Sequence, residues 1–280
     1  MTCANADKGN FGMTDITIED DFEPQKIVIS GQCFRAKDLG DKGCRFITGN
    51  DIVYIKKLSD KKFDISCSKE EWTTIWHPYF DLSKDYFRIA ERSLGLHPFT
   101  DRAIEAGRGL RILRQEPWEM LISFIISQRK NIPAISRSIE ALCEKFGSPI
   151  DDGLFSFPTP KALAQASDEA LRSCSLGYRA PYVSDAANMV LSGAIDPDRL
   201  DSLSDDALLK KLMEIKGVGI KVASCVALFA YGRYSCVPVD VWIKRAIEED
   251  CGGVSPFPLF GENAGIIQQY VFYYERISHV

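Results

Sequence analysis

A chain of 280 residues, with 45% hydrophobic and 26% charged side chains, has the make-up of a soluble globular protein and room for one large or two ordinary domains. No apolar run is long enough to span a bilayer, and the opening MTCANADKGNFGMTD lacks the apolar core of a secretory signal, so a cytoplasmic or nucleoid location in a prokaryote, or a nuclear one in a eukaryote, is expected. A net charge of −5 argues mildly against a nucleic-acid partner, but such binding needs a basic surface and not a basic protein.

In chain order, residues 1–12 read as disordered. From Asp15 to Cys67 the alternation and β-branched content predict strands at Ile16-Thr17-Ile18, Lys26 to Ser30, Cys44 to Ile47, Asp51 to Ile55 and Lys62 to Ile65. Turn signals at Gly40 to Gly43, Gly49-Asn50-Asp51 and Ser59-Asp60-Lys61 separate them, and an antiparallel sheet is the natural assembly. After Ser68 the composition changes. Ser68-Lys69-Glu70-Glu71 opens a short helix. Asp81 to Asp85 starts another, with Tyr86, Ile89 and Leu94 on one face. Glu116-Pro117-Trp118 starts a third, with proline in its first turn and a core face of Trp118, Leu121, Ile122, Ile125 and Ile126. Further helices are predicted near 131–146, 160–173, 179–193, 240–250 and 262–277. The expected fold is α+β: an N-terminal antiparallel sheet with its following helices over 12–105, packed on a mainly helical body over 106–280. The nine cysteines are scattered without a CxxC pair and read as reduced, mostly buried thiols; the three histidines are too dispersed for a metal site.

The most informative stretch is 204–245. Leu208, Leu209, Leu212 and Ile215 lie at helical spacing. Gly217-Val218-Gly219 then breaks the helix, and a second apolar-periodic run follows from Gly219 to Tyr231. Helix, glycine hairpin, helix points free backbone N–H groups at one anion, for which a nucleic-acid phosphate is a candidate. Read alone, G-V-G is a tight turn between helices, Lys221 a solvated lysine and Asp240 an N-cap. Together they say more. The dipole at a helix N-terminus disfavours an ammonium ion, and an amine facing a carboxylate suits covalent catalysis through an imine. Lys210, Lys211, Lys216, Lys221, Arg233, Lys244 and Arg245 gather around the hairpin, as a phosphate-binding surface or as a solvated face.

The stretch I-K-G-V-G-I-K-V-A-S-C, followed by V-P-V-D-V-W, resembles the helix–hairpin–helix DNA glycosylase superfamily, and within it the 8-oxoguanine DNA glycosylase/lyase family. It departs at Lys216, where many members carry proline. The resemblance extends to A-G-I-I-Q-Q-Y-V-F near the C-terminus, to Leu176-Gly177-Tyr178-Arg179 and to Ser30-Gly31-Gln32-Cys33-Phe34-Arg35. It implies a bifunctional enzyme that flips 8-oxoguanine out of duplex DNA, displaces it with Lys221 and nicks the strand by β-elimination. Asp240 orients the lysine and stabilises charge on the sugar. Cys225 lines the pocket, Phe272 stacks on the base, Gln268 reads its edge, and the Gly31 carbonyl accepts the N7 hydrogen that guanine lacks. Gly217, Val218 and Gly219 bind the backbone, Tyr178 fills the gap left by the flipped base, and Arg179 contacts the orphaned cytosine. Arg129 and Ala134 stand where the family carries an asparagine and a second arginine, so a weaker cytosine preference is expected. No redox cofactor is implied, and with only Cys236 and Cys251 near the C-terminus an iron–sulfur cluster is not expected. A structural alkali-metal ion on hairpin carbonyls is compatible with the superfamily but is not read from these residues, and a monomer acting on duplex DNA is the expected assembly. The alternatives are a related glycosylase for other damaged bases, disfavoured for the alkylbase branch by Lys221, and a non-catalytic hairpin DNA-binding protein.

Overall fold

The computed structural model describes residues 13–151 and 153–279; the expectation for residues 1–12 lies outside them. The sheet forms from β1 (Thr14–Thr17), β2 (Lys37–Asp38), β3 (Cys44–Thr48), β4 (Asp51–Lys57) and β5 (Lys62–Ile65), all antiparallel in the order β1-β5-β4-β3-β2. The β3–β4 turn is the predicted one, with Thr48 opposite Asp51 and Gly49 at φ +55°. Alternation places Cys44, Phe46, Val53, Ile55, Phe63 and Ile65 in one buried core, closed by Trp76, Tyr79 and Phe80. Phe80 lies against Phe22, Phe46 and Tyr79 edge-on, with centroids about 5 Å apart, a favoured aromatic geometry.

The strand expected over Lys26 to Ser30 is instead a helix, α1 (Pro24–Ile29). Pro24 fixes the first turn, and Lys26 donates to the Ala106 and Arg108 carbonyls at 2.8 Å each, so tertiary bonding overrides the β-branched preference of Ile27-Val28-Ile29. Gly31 then leaves the helix at φ +79°.

Next come α2 (Lys69–Glu71), a π-helical stretch Trp72–Trp76, α3 (His77–Tyr79), α4 (Tyr86–Ser93) and α5 (Pro98–Gly107). Ser68 and Glu71 form a capping box at the start of α2. The helical body continues with α6 (Pro117–Ser127), α7 (Ile132–Phe146), a small hairpin of β6 (Pro149–Asp151) and β7 (Leu154–Phe155), α8 (Pro160–Gln165), α9 (Asp168–Ser173) and α10 (Ala180–Leu191). The single helix expected over 160–173 is broken because Ser167 restarts it, accepting the Ala170 N–H at 3.1 Å. Last are α11 (Asp205–Met213), α12 (Ile220–Phe229), α13 (Val241–Asp250) and α14 (Ala264–Ser278).

A second core gathers α4 to α14, with α6 and most of α12 buried at its centre and α14 against α5. Gly107 lets those two helices touch: a Cβ there would lie 2.6 Å from the Tyr270 ring. Arg111, fully buried, staples the two cores by donating to the Phe80, Asp21, Asp81 and Lys84 carbonyls and to Asp20. Among the described residues the cysteines are free, and all but Cys251 are buried. No helix is long and apolar enough to cross a membrane.

Candidate active site

The hairpin between α11 and α12 forms as its glycines suggest. Gly217 sits at φ +84°, where an added Cβ would meet the Tyr182 ring at 2.4 Å. Gly219 is the N-cap of α12 in an extended conformation, with open space where a side chain would stand. No side chain caps α12, so its first amides remain available to an anion. Ile220 and Val241, 59% and 79% exposed, flank this surface as unpartnered apolar groups.

Lys221 rises from the first turn of α12. Its ammonium nitrogen lies 5.6 Å from the centroid of Phe124 on α6. Cys225, one turn further along, is buried beneath it. Burial pushes the Cys225 thiol up to about 11 against the opposing pull of Lys221, so it is a neutral wall of the pocket. Asp240 caps α13: one carboxylate oxygen, Oδ1, accepts the Trp242 and Ile243 N–H groups at 3.0 Å each. Its other oxygen carries no bond from a described residue. Lys221, Cys225 and Asp240 share a narrow slot with Gly31, Gln268 and Phe272. That slot opens into a groove of about 730 Å³ lined by Gly31, Arg129, Lys221, Asp240, Trp242, Phe272 and Arg276, among others.

The floor comes from α14. Gln268 is 3% exposed, and its Oε1 is buried with no hydrogen-bond partner. Such an atom costs stability unless a ligand satisfies it. The neighbouring Gln269 donates to the Ser30 carbonyl at 2.9 Å and fixes the loop before Gly31. Gln32 holds the same loop from the other side, donating to Ser30 Oγ at 3.0 Å and to the Arg111 carbonyl at 2.9 Å while accepting the Leu113 N–H at 2.8 Å. A Cβ on Gly31 would stand 2.6 Å from Ile132 and 3.1 Å from Phe272, so only glycine brings the main chain this close to the ring.

The structure thus brings together Gly31, Lys221, Cys225, Asp240, Gln268 and Phe272, with Gly219 at the rim; Gly217 and Val218 do not line the groove, and Val218 is buried in the core. Tyr178 is 47% exposed on the turn before α10, with Tyr182 edge-on at 6.2 Å. Arg179 departs from expectation. It is only 6% exposed and does not face the groove: its guanidinium donates to the Gln128 and Leu176 carbonyls. The basic cluster is also smaller than its sequence suggests. Arg233 is paired with Asp201 and Asp205, Arg245 with Glu275, Lys211 with Glu214 and Lys216 with Asp185. Sequence reading missed Phe124, Gln128, Trp242, Gln269 and Arg276. Arg276, four residues after Phe272 on the same face, was legible by spacing; Phe124 lies in a helix buried on every face and gives no separate signal.

A part-buried amine and a helix-capping carboxylate beside a helix–hairpin–helix, with a flat aromatic ring and an unsatisfied amide in the same slot, define a base-excision DNA glycosylase. The comparisons narrow the class. Residues 15–121 match the model of the 8-oxoguanine DNA glycosylase N-terminal domain, and residues 122–254 that of the HhH-GPD superfamily base excision DNA repair proteins. MBOgg1 in complex with a low-affinity DNA ligand is 37% identical over 99% of both chains, with a TM-score of 0.89. The Clostridium acetobutylicum 8-oxoguanine glycosylase/lyase, bound to duplex DNA with cytosine opposite 8-oxoguanine, is 31% identical over 96% of this chain and 99% of that one, with a TM-score of 0.87. The N-glycosylase/DNA lyase of Saccharomyces cerevisiae is 40% identical over 158 residues, which span 51% of this chain and 42% of the yeast protein. The chain belongs to the 8-oxoguanine DNA glycosylase/lyase family.

Proposed function

We propose that the protein excises 8-oxoguanine from duplex DNA and then nicks the strand. The observation that carries this reading is the unsatisfied Gln268 Oε1 in the slot shared by Lys221, Asp240 and Phe272. A flipped purine stacked on Phe272 offers Gln268 a Watson–Crick edge and turns its N7 side to the Gly31 main chain. The lesion carries a hydrogen on N7 and donates it to the Gly31 carbonyl. Guanine presents a lone pair there and is repelled, so one carbonyl discriminates between the two bases.

In its neutral form the Lys221 amine attacks C1′ of the flipped nucleotide, and the C1′–N9 bond breaks as the new C–N bond forms. The Oδ2 side of Asp240 stabilises the positive charge that develops on the sugar, while Oδ1 stays fixed to α13. Ring opening gives an imine between Lys221 and C1′, which acidifies the C2′ hydrogen. Loss of that proton expels the 3′ phosphate and cuts the strand on the 3′ side. The free amides at the start of α12 hold a neighbouring phosphate, and Tyr178 occupies the gap in the duplex.

Incubation with duplexes carrying a single 8-oxoguanine, an alkylated purine or no lesion tests the reading. Base release and 3′-side nicking confined to the 8-oxoguanine duplex is the expected result. Release of an alkylated base with the 8-oxoguanine duplex intact would assign the protein to another lesion, and binding with no release would make it a non-catalytic DNA-binding protein.

A further inference from the structure

Gln268, Phe272 and Arg276 follow one another at four-residue spacing and share one face of α14. Arg276 Nη1 donates to the Ile29 carbonyl at the end of α1. Gln269, one residue along α14 from Gln268, donates to the Ser30 carbonyl at 2.9 Å. Two successive carbonyls are therefore held by α14, while the next one, that of Gly31, accepts no hydrogen bond from a described residue. The Arg276 guanidinium carbon also lies 5.9 Å from the centroid of the Phe272 ring, within cation–π range. Its Nη1 stands 3.5 Å from where a Cβ on Gly31 would be. Arg276 is half-buried and has no salt bridge to a described residue, its neighbour Glu275 being paired with Arg245 at 3.1 Å. Burial holds its pKa below the usual arginine value, so the setting works against its charge. A partly desolvated cation without a carboxylate is a poor source of stability. What this one supplies is a single rigid group that touches both the loop and the ring.

We infer that Arg276 is a positioning residue that determines specificity: it ties the Ile29–Gly31 segment to the Phe272 ring and so sets the height of the Gly31 carbonyl above the stacking plane. This rests on the reading of the protein as an 8-oxoguanine glycosylase. A base stacked on Phe272 has its plane fixed by that ring. Its N7 hydrogen points outward in that plane, and a hydrogen bond weakens steeply once donor and acceptor fall out of line. The Gly31 carbonyl must therefore stay at one stacking distance from the ring, within about 0.5 Å. A loop free to drift along the ring normal loses the N7–H bond to the lesion and also softens the repulsion of a bare N7 lone pair. Both changes erode discrimination and leave stacking itself intact. Gln269 fixes the Ser30 carbonyl only, whereas Arg276 touches both the loop and the ring.

The test compares 8-oxoguanine with 8-methoxyguanine, which keeps the oxygen at C8 but carries a lone pair at N7. Duplexes with either base, or with undamaged guanine, are titrated against Lys221→Gln protein, so that binding is read without turnover. Arg276→Leu and Arg276→Lys are added to that background, with thermal unfolding measured alongside. Arg276→Leu is expected to shrink the preference for 8-oxoguanine over 8-methoxyguanine by about 3- to 10-fold, and to leave affinity for the 8-methoxyguanine duplex within about twofold. Arg276→Lys, which keeps a donor and a charge, is expected to retain more of the preference than Arg276→Leu. An unchanged preference in Arg276→Leu overturns the inference. So does an equal loss of affinity for both bases, with or without a fall in melting temperature, since a staple between α14 and α1 or a phosphate contact acts on both alike. Lys221→Gln protein that binds 8-oxoguanine tightly but no better than 8-methoxyguanine overturns it as well. Protein that binds the 8-oxoguanine duplex no better than the undamaged one overturns the functional reading instead.

Discussion

Asp240 is proposed to do two jobs with two oxygens. Oδ1 caps α13 through two N–H groups, and the other oxygen, with no bond from a described residue, is the one proposed to face the reacting sugar. Asparagine also caps helices well, so Asp240→Asn separates the jobs. The melting temperature is expected to stay near that of the parent while excision falls by about 10²–10³-fold, with a smaller loss of lesion binding. A variant with parental turnover would leave Asp240 as a cap only. Phe272, half-buried against Gly31 and Arg276, is next. Phe272→Ala is expected to weaken capture of the lesion duplex by about 1–3 kcal/mol with the fold retained, as read by titration and thermal unfolding together. Unfolding would make it a core residue, and no change in either would remove it from the site. These side chains were legible because their chemistry is unusual for their place: an amine at a hairpin, a carboxylate at a helix start, an amide and a ring four residues apart. Phe124 and Gln269 were not, since an aromatic in an apolar helix and a buried glutamine look the same whether they face a pocket or a core. Arg179 misled because the pattern Gly-Tyr-Arg gives no sign of which way the guanidinium turns.

At the scale of the element, the two hairpin glycines have different reasons to be glycine. Gly217 is required by the chain itself, through φ +84° and the Tyr182 ring 2.4 Å from where a Cβ would stand. Gly219 meets no such limit, and the space beside it is open to a ligand. Gly217→Ala is therefore expected to destabilise the fold by on the order of 2–4 kcal/mol. Gly219→Ala is expected to leave stability within about 0.5 kcal/mol but to weaken binding even to undamaged duplex. Denaturant unfolding and a fluorescence titration check both, and a Gly219→Ala variant that binds normally would remove the phosphate from this hairpin. The hairpin was plain in the sequence because glycine punctuation and helical periodicity agree there. Lys26 to Ser30 was misread because a short alternating apolar segment fits a strand as well as a helix, and contacts some 80 residues away decide between them. The restart at Ser167 was a cap signal hidden inside an otherwise continuous helical pattern.

Across the whole molecule, two cores meet where the Gly31 loop lies against α6 and α14. The buried pair Arg35 and Glu119 joins them at 3.3 Å. Burial outweighs the Arg35 charge and pushes the Glu119 carboxyl from 4.5 up to about 7. The folded chain therefore binds more protons than the unfolded one between these values. This contribution to stability is complete below about 4.5 and is lost as the pH rises through about 7. Glu119→Gln is expected to flatten the pH dependence of urea unfolding over that range, and an unchanged slope would assign the dependence elsewhere. All of these arrangements serve one proposed event, the bond between Lys221 and C1′, and borohydride reduction reports it directly. With 8-oxoguanine duplex the parent is predicted to be trapped as a covalent protein–DNA adduct, while Lys221→Gln still binds the duplex but gives neither adduct nor base release. An adduct of equal yield from Lys221→Gln, or base release by the parent with no adduct, would contradict the account.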